Sequence, residues 1–215
     1  MHKHLLPAVF ALLTVPLSDV VAATPTNAEA NKLRAAAEPF EALTEQAFDA
    51  SNATLDKDIK SVEKAAAQVR ALLPSKDALD LDGRLVDVKK ARAAGNRADL
   101  AIAAVEGYRT LVSVAGNSKI PAAVSLLDYA GFRATADLKS KPVRWEDVTD
   151  AAAFARQQWT GIAANVKPAG LKAAVEKAIG NMESASAKHD AKLAARASQS
   201  ELDLVDKLEG YFGGL

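Results

Sequence analysis

The sequence predicts an all-α protein, and three features carry that prediction. Alanine is abundant, whereas aromatic residues make up only 5% of the chain, a composition that suits helices better than strands. Apolar residues recur every three or four positions along most of the sequence, as on one face of a helix. Proline and glycine turn signals divide the chain at regular intervals. We therefore expect an elongated up-down-up-down four-helix bundle whose helices are kinked or broken near mid-length.

Four helical segments of comparable length follow from the strongest turn signals, at Pro74, Gly116–Pro121 and Lys167–Gly170. Each segment would be about 60–70 Å long at the helical rise per residue. Weaker interruptions fall near the segment midpoints, at Ser51–Thr54, Gly95–Asn96 and Lys139–Pro142. We expect them to be kinks that meet at one waist of the bundle. The alternative is that they are true turns, which would give seven or eight shorter helices.

Residues 1–23 have the pattern of a secretory signal peptide. The basic start, apolar core and small cleavage residues are His2–His4, Leu5–Leu17 and Val21–Ala23. The apolar run is too short to span a bilayer, and the alternative is a buried N-terminal helix. We therefore expect a periplasmic or secreted protein after cleavage near Ala23, with one helical-bundle domain over residues 24–215. No later stretch is apolar for long enough to predict a membrane span in the mature chain.

Charge and cysteine content exclude several classes of function. Lys and Arg number 27 and Asp and Glu also number 27, so the formal net charge is zero. Such a balance argues against a nucleic-acid partner, which favours a basic face. It also argues against binding to an anionic membrane surface. The sequence has no cysteine, so neither disulfides nor thiolate chemistry is available.

Polar and aromatic residues flank the Gly116–Pro121 turn at equal distances along the chain. In an antiparallel helix pair, Tyr108 and Arg109 would face Asp128 and Tyr129 at one level. The last segment would bring further acids to this level, and the first would bring Glu38, Phe40 and Glu41. The predicted ligand-binding set is Glu106, Tyr108, Arg109, Asp128, Tyr129, Arg133, Asp203 and Asp206.

Two interpretations of this layer stay open. Buried charge is unfavourable unless it is paired or used in function, so the layer could form a pocket for a small polar ligand or a hard cation. The commoner role of such residues is a salt-bridge layer that fixes the register of the helices. Gly107 and Gly131 lie within the layer, and glycine inside a helix indicates close approach of a neighbouring helix.

His189 is a secondary candidate, which we place with Met182 on the apolar stripe of the last segment, at the waist. The two residues are about 10.5 Å apart on one helix, too far to bind the same metal ion. The sequence has neither a Cys-x-x-Cys-His motif nor paired Glu-x-x-His motifs, so we expect no c-type haem and no di-iron centre. We predict no cofactor and leave open an oxygen-liganded hard cation.

The first functional hypothesis is an exported, non-catalytic helical bundle that binds a small polar ligand or hard cation in the polar layer. The second is a structural or adaptor protein that contacts another envelope protein through its helix faces. The third is an enzyme with carboxylate or tyrosine acid–base chemistry, although no Gly-x-Ser-x-Gly elbow or phosphate loop is present. A concave pocket would favour the first, dry paired groups the second, and clustered carboxylates with raised pKa values the third.

Overall fold

The computed structural model describes residues 24–214, and every regular element in that range is helical. The predicted all-α class is therefore confirmed. The helices are α1 (Asn27–Gln46), α2 (Asn52–Val69), α3 (Ser75–Ala93), α4 (Arg97–Ala115), α5 (Ala122–Leu138), α6 (Trp145–Ile162), α7 (Ala169–Ala187) and α8 (Ala191–Gly213). Short 3₁₀ turns extend α2 and α6, at Arg70–Leu72 and Ala163–Asn165. The predicted signal peptide, residues 1–23, lies outside the described residues.

The four long, kinked helices expected from the sequence are not what the structure shows. The weak interruptions are true turns, so residues 24–214 form eight helices. Gly95 illustrates the reason, because its φ of 67° ends a helix in the left-handed region. A further turn at Lys188–Asp190 divides the stretch from Leu171 to Phe212, which we had expected to be one helix.

Side-chain caps explain several helix starts. The Thr26 and Glu29 side chains form a capping box at the start of α1. The side chains of Ser51 and Asn96 accept hydrogen bonds from backbone N–H groups in the first turns of α2 and α4. Asp190 does the same for α8, accepting from the N–H of Leu193 at 2.9 Å. Each cap satisfies a backbone donor that a helix start leaves free.

The eight helices form two four-helix units of the same design. In the first unit each helix packs on the next and α4 packs back on α1; α5 to α8 repeat this arrangement. The turns between the third and fourth helices also match, because Gly95 and His189 both have positive φ, 67° and 51°. Each is followed by the residue that caps the next helix, Asn96 or Asp190. The 3₁₀ turns after α2 and α6 complete the correspondence.

Packing of α4 on α5 joins the two units. The equivalent pair across the repeat is α8 with α1, which is not among the closely packed pairs of the described chain. A groove floored by α5 separates α1 from α8 instead. The core beneath it contains fully buried residues from both units, including Phe40, Leu43, Leu127 and Leu208. Within residues 24–214, no helix is both long and apolar enough to cross a bilayer.

Candidate functional site

On one side of the α4–α5 pair lies a cluster of mutually bonded side chains, here called the paired network: Glu106, Arg109, Tyr129, Arg133 and Asp137. The Tyr129 hydroxyl donates to Glu106 Oε1 at 2.8 Å. Arg133 forms an ion pair with Glu106 and donates from Nε to Asp137 Oδ2 at 2.8 Å. Arg109 donates to the Tyr129 hydroxyl at 3.4 Å. These charge-assisted bonds join α4 to α5.

Burial makes the pairing in this network important. The exposed fractions of Glu106 and Asp137 are only 7% and 0%, so each depends on a guanidinium to offset its desolvation. Although burial opposes the charged form, the Asp137 and Glu106 carboxylates raise the pKa of Arg133. Burial and the neighbouring Glu106 carboxylate raise the pKa of Tyr129 to about 12. The network therefore has the properties of a structural ion-pair layer.

On another side of the α4–α5 pair, facing α1 and α8, lies the acidic groove. It consists of two adjoining cavities of about 330 and 280 Å³ that share Glu41. Along α1 its acids are spaced by three or four residues, so they lie on one helix face. The carboxyl groups that line the groove are those of Glu38, Glu41, Glu45, Asp49, Asp128, Asp203, Asp206 and Glu209.

None of these groove carboxyl groups forms an ion pair with any residue of the described chain. Two cationic residues line the same cavities, but neither forms an ion pair with a groove carboxylate of the described chain. Arg34 donates to the carbonyl oxygens of Gly116 and Asn117, each at 3.0 Å. The Lys139 ammonium lies 4.0 Å from the ring centroid of Phe48. The negative charge of the groove is therefore poorly neutralised by the surrounding described residues.

Asp128 lies at the floor of the groove and is only 8% exposed. Its carboxylate has neither an ion pair nor a side-chain hydrogen bond within the described chain. The one side-chain hydrogen bond to a groove carboxylate in that range is the bond from Gln199 to Asp203. Burial, together with the negative charge of Glu41 and Glu209, raises the pKa of Asp128 to about 8. Burial and neighbouring acids likewise raise the pKa of Glu41 to about 7. A bound cation would favour the ionised form of both groups.

Glu201 lies behind the groove on α8 and is 1% exposed. Neither of its carboxylate oxygens has a hydrogen-bond partner in the described chain. Burial raises its pKa well above the ordinary value, and the charge of Asp128 adds to the effect. Burial therefore favours the protonated form of Glu201, and Asp128 is the floor carboxyl group that lines the groove and can meet a cation.

Close helix approach explains the two glycines of the predicted layer. A Cβ at Gly131 would lie 2.3 Å from Glu201 Oε2, and a Cβ at Gly107 would lie 2.3 Å from the Phe40 ring. Both distances are too short for a real contact. The interpretation that these glycines allow neighbouring helices to approach is confirmed.

The structure divides the predicted ligand-binding set between these two regions. Tyr108, Asp128, Asp203 and Asp206 line the acidic groove. The other four members, Glu106, Arg109, Tyr129 and Arg133, belong to the paired network. The expected single layer is therefore two regions, because neighbouring residues on a helix point to different sides.

Three further groove acids were not predicted from the sequence: Glu45, Asp49 and Glu209. The signal that could have identified them is their spacing, because acids three or four residues apart share a helix face. Glu45 and Glu209 continue the acidic faces begun by Glu41 on α1 and Asp206 on α8, and Asp49 lies in the turn after α1.

His189 does not lie on a buried stripe as we had expected. It is an exposed turn residue between α7 and α8, and its ring stacks on Trp145 with centroids 4.8 Å apart. Its positive φ explains the error, because the chain leaves the helix there. Met182 is buried as expected. Within the described range, no group of three or more His, Asp or Glu side chains is arranged to hold a metal ion.

A larger cavity, of about 580 Å³, lies between α1 and α2. Its polar lining consists of exposed residues such as Lys32, Ser61, Lys64 and Gln68. It contains no buried charged group comparable to Asp128, so the acidic groove is the stronger candidate site.

No protein-family model matches the chain, and no curated protein or solved structure matches it significantly.

Proposed function

We propose that the protein is exported to the periplasm or secreted, and that it binds a small cationic ligand in the acidic groove without catalysing a reaction. The supporting observation is the state of Asp128, which is 8% exposed and opens on the groove without a partner. A buried carboxylate with no partner is costly. An external cation at this position would supply the charge that Arg133 supplies in the paired network.

The arrangement of the surrounding acids supports the same function. The carboxyl groups of α1 and α8 lie on either side of Asp128. Their combined field attracts cations into the groove and repels anions. The raised pKa values of Glu41 and Asp128, about 7 and 8, show that the groove resists further negative charge, which a bound cation would relieve.

Binding can be tested by thermal unfolding at about pH 8 and low salt with added Mg²⁺, Ca²⁺ or spermidine. We expect at least one of these cations to raise the Tm in a concentration-dependent manner, because a ligand that binds only the folded state stabilises it. Asp128→Asn should remove the effect. Asp87→Asn, which neutralises an exposed acid on α3, should retain it. Stabilisation no greater than that given by NaCl of equal ionic strength would refute the function.

Export has its own test, because it depends on residues 1–23 rather than on the groove. The protein should be recovered from the periplasmic or culture fraction of its own cells, with Thr24 as the first residue. An intact N-terminus on protein that stays in the cytoplasm would show that the export prediction is wrong and would leave cation binding as a separate question.

An acid–base enzyme is a competing function, favoured by the raised pKa values of Glu41 and Asp128. A general acid or base acts on a proton within hydrogen-bond reach. In the described chain, Asp128 has no hydrogen-bonded nucleophile or orienting group, so burial together with the mutual repulsion of the acids is the simpler account of these pKa values. Turnover of an amine-containing substrate that disappears in Asp128→Asn would favour the enzyme.

An adaptor function is favoured by one separate observation. Leu79 and Val86 are large apolar residues of α3 with exposed fractions of 68% and 63%. They are seven residues apart and therefore share a helix face. The double substitution Leu79→Ser and Val86→Ser should abolish co-purification of an envelope protein if α3 is a docking face. Unchanged co-purification would exclude that face.

A further inference from the structure

We infer that the acidic groove selects a linear organic polycation, a diamine or polyamine, over metal ions. This inference rests on the proposed cation-binding function and specifies its ligand class. It depends on three observations: the linear distribution of the acids, an aromatic wall with an alkylammonium already seated on it, and the unpartnered carboxylate of Asp128.

The acids form two rows on opposite sides of the groove. On α1 the row runs from Glu38 to Glu45, which spans about 10 Å at the helical rise, and Asp49 follows in the turn after the helix. On α8 it runs from Asp203 to Glu209, which spans about 9 Å. A metal ion needs several oxygen ligands around one point, whereas these carboxylates are spread along a line and no three of them are arranged around one. A flexible chain with ammonium groups at intervals matches such rows.

Phe48 and Phe132 add an aromatic surface to the same cavity. The ammonium of Lys139 lies 4.0 Å from the Phe48 ring centroid, in the range of a cation–π contact. An alkylammonium of the chain itself therefore occupies one end of the groove. The contact shows that the groove accommodates the chemical group that a polyamine would bring.

Asp128 supplies the specific contact at the floor of the groove. Its buried carboxylate lines the groove and forms no side-chain hydrogen bond or ion pair with the described chain, whereas a primary ammonium carries three hydrogen-bond donors. A charge-assisted bond between the two would be short and strong. Glu41 borders both cavities, so a chain anchored at Asp128 can extend past Glu41 between the two acid rows.

The decisive experiment is isothermal titration of the purified protein at about pH 8 with spermidine, 1,4-diaminobutane, n-butylamine, Mg²⁺ and Ca²⁺. We expect affinity to fall in the order spermidine, diaminobutane, butylamine, because each ammonium adds charge-assisted contacts. Both metal ions should bind at least about tenfold more weakly than spermidine, because hydrated divalent ions need converging oxygen ligands.

Two variants probe the aromatic end of the groove. Phe48→Leu should weaken spermidine binding by about 3- to 10-fold through loss of the cation–π contact. Lys139→Gln should tighten it, because a competing positive charge leaves the groove. Leu79→Ser, on an exposed face of α3, is the control and should leave the affinity for spermidine unchanged.

The outcomes separate this inference from the function on which it rests. Mg²⁺ or Ca²⁺ binding that equals or exceeds spermidine binding, and that is lost in Asp128→Asn, would overturn the polyamine assignment and leave cation binding standing. Spermidine binding that is unchanged in both Phe48→Leu and Asp128→Asn would also overturn it. Absence of binding by every cation would refute both proposals.

Discussion

The paired network and the acidic groove lie on different sides of α5 and treat buried carboxylates in opposite ways. In the network, Glu106 and Asp137 both contact the guanidinium of Arg133. In the groove, Asp128 is almost as buried as Glu106 but has no cationic partner in the described chain. A buried acid with a guanidinium holds helices together, whereas one that faces an open cavity without a partner can accept a cation from outside.

The paired network and the acidic groove lie at equivalent helix pairs of the internal repeat. The α4–α5 pair joins the two four-helix units, and arginines of both helices lie in its contact. The equivalent pair, α8 with α1, stays apart, and the two helices present acids to the space between them. Equivalent positions in the repeat therefore serve as a structural joint in one place and as a groove in the other.

Removing the central guanidinium of the network should give the largest effect. Arg133→Met leaves Glu106 and Asp137 buried without their main partner, so we expect a loss of about 3–5 kcal/mol in the free energy of unfolding. Chemical denaturation at neutral pH would measure it. Arg70→Met, which breaks a solvent-exposed pair with Asp82, should cost less than about 1 kcal/mol. Equal losses in the two variants would mean that the network is not a structural joint.

In the groove, removal of the buried charge of Asp128 should increase the free energy of unfolding rather than decrease it. The pKa of Asp128 is raised to about 8 in the folded protein, against about 3.9 in an unfolded chain. The folded state therefore binds more protons, and stability falls as the pH rises from about 4 to about 8. Asp128→Asn should match the wild type near pH 4 and be more stable by several kcal/mol above pH 8.

Urea denaturation across this pH range, without polyamine, would measure the effect of Asp128→Asn. Asp87→Asn is the matched control and should leave the pH dependence unchanged, because Asp87 is exposed. Addition of spermidine at about pH 8 should stabilise only the wild type and so reduce the difference in the free energy of unfolding between the wild type and Asp128→Asn. A variant less stable than the wild type at that pH would show that Asp128 is not an uncompensated charge.

Helical periodicity was enough to predict the fold class, because the apolar spacing of α1 to α8 depends only on the local sequence. It could not distinguish a kink from a turn. His189 interrupts a continuous apolar stripe without proline or glycine, so the main local signal of the α7–α8 turn is Asp190, the residue that caps α8. The division into two four-helix units depends on tertiary packing, which the spacing of turns alone does not give.

The sequence predicted which residues of α4 and α5 lie at the same level along the helices, but not the side of the helix pair that each residue faces. Equal distance from the Gly116–Pro121 turn brought Tyr108 and Arg109 to the level of Asp128 and Tyr129, as the bond from Arg109 to Tyr129 shows. Successive residues on a helix point about 100° apart, so each pair is divided between the network and the groove. Which side is closed by arginine and which stays open depends on where α6 and α8 pack, which is a property of the whole fold.

A smaller effect would test whether an internal cation can replace the external one. Asp206→Lys places an ammonium in the acidic groove from an exposed position on α8. Without polyamine at about pH 8 and low salt, we expect a gain of about 0.5 kcal/mol in the free energy of unfolding. In 1 M NaCl the gain should disappear, because the Debye length falls to about 3 Å.

The same variant should weaken spermidine binding, because the new charge repels the ligand from the site it would occupy. Asp87→Lys makes an identical charge change on α3, outside the groove, and should neither stabilise the protein nor weaken binding. Equal effects from the two variants would indicate that net charge, rather than the groove between α1 and α8, governs the response. Stabilisation by Asp206→Lys alone would show that this groove, unlike the network across α5, lacks only a cation.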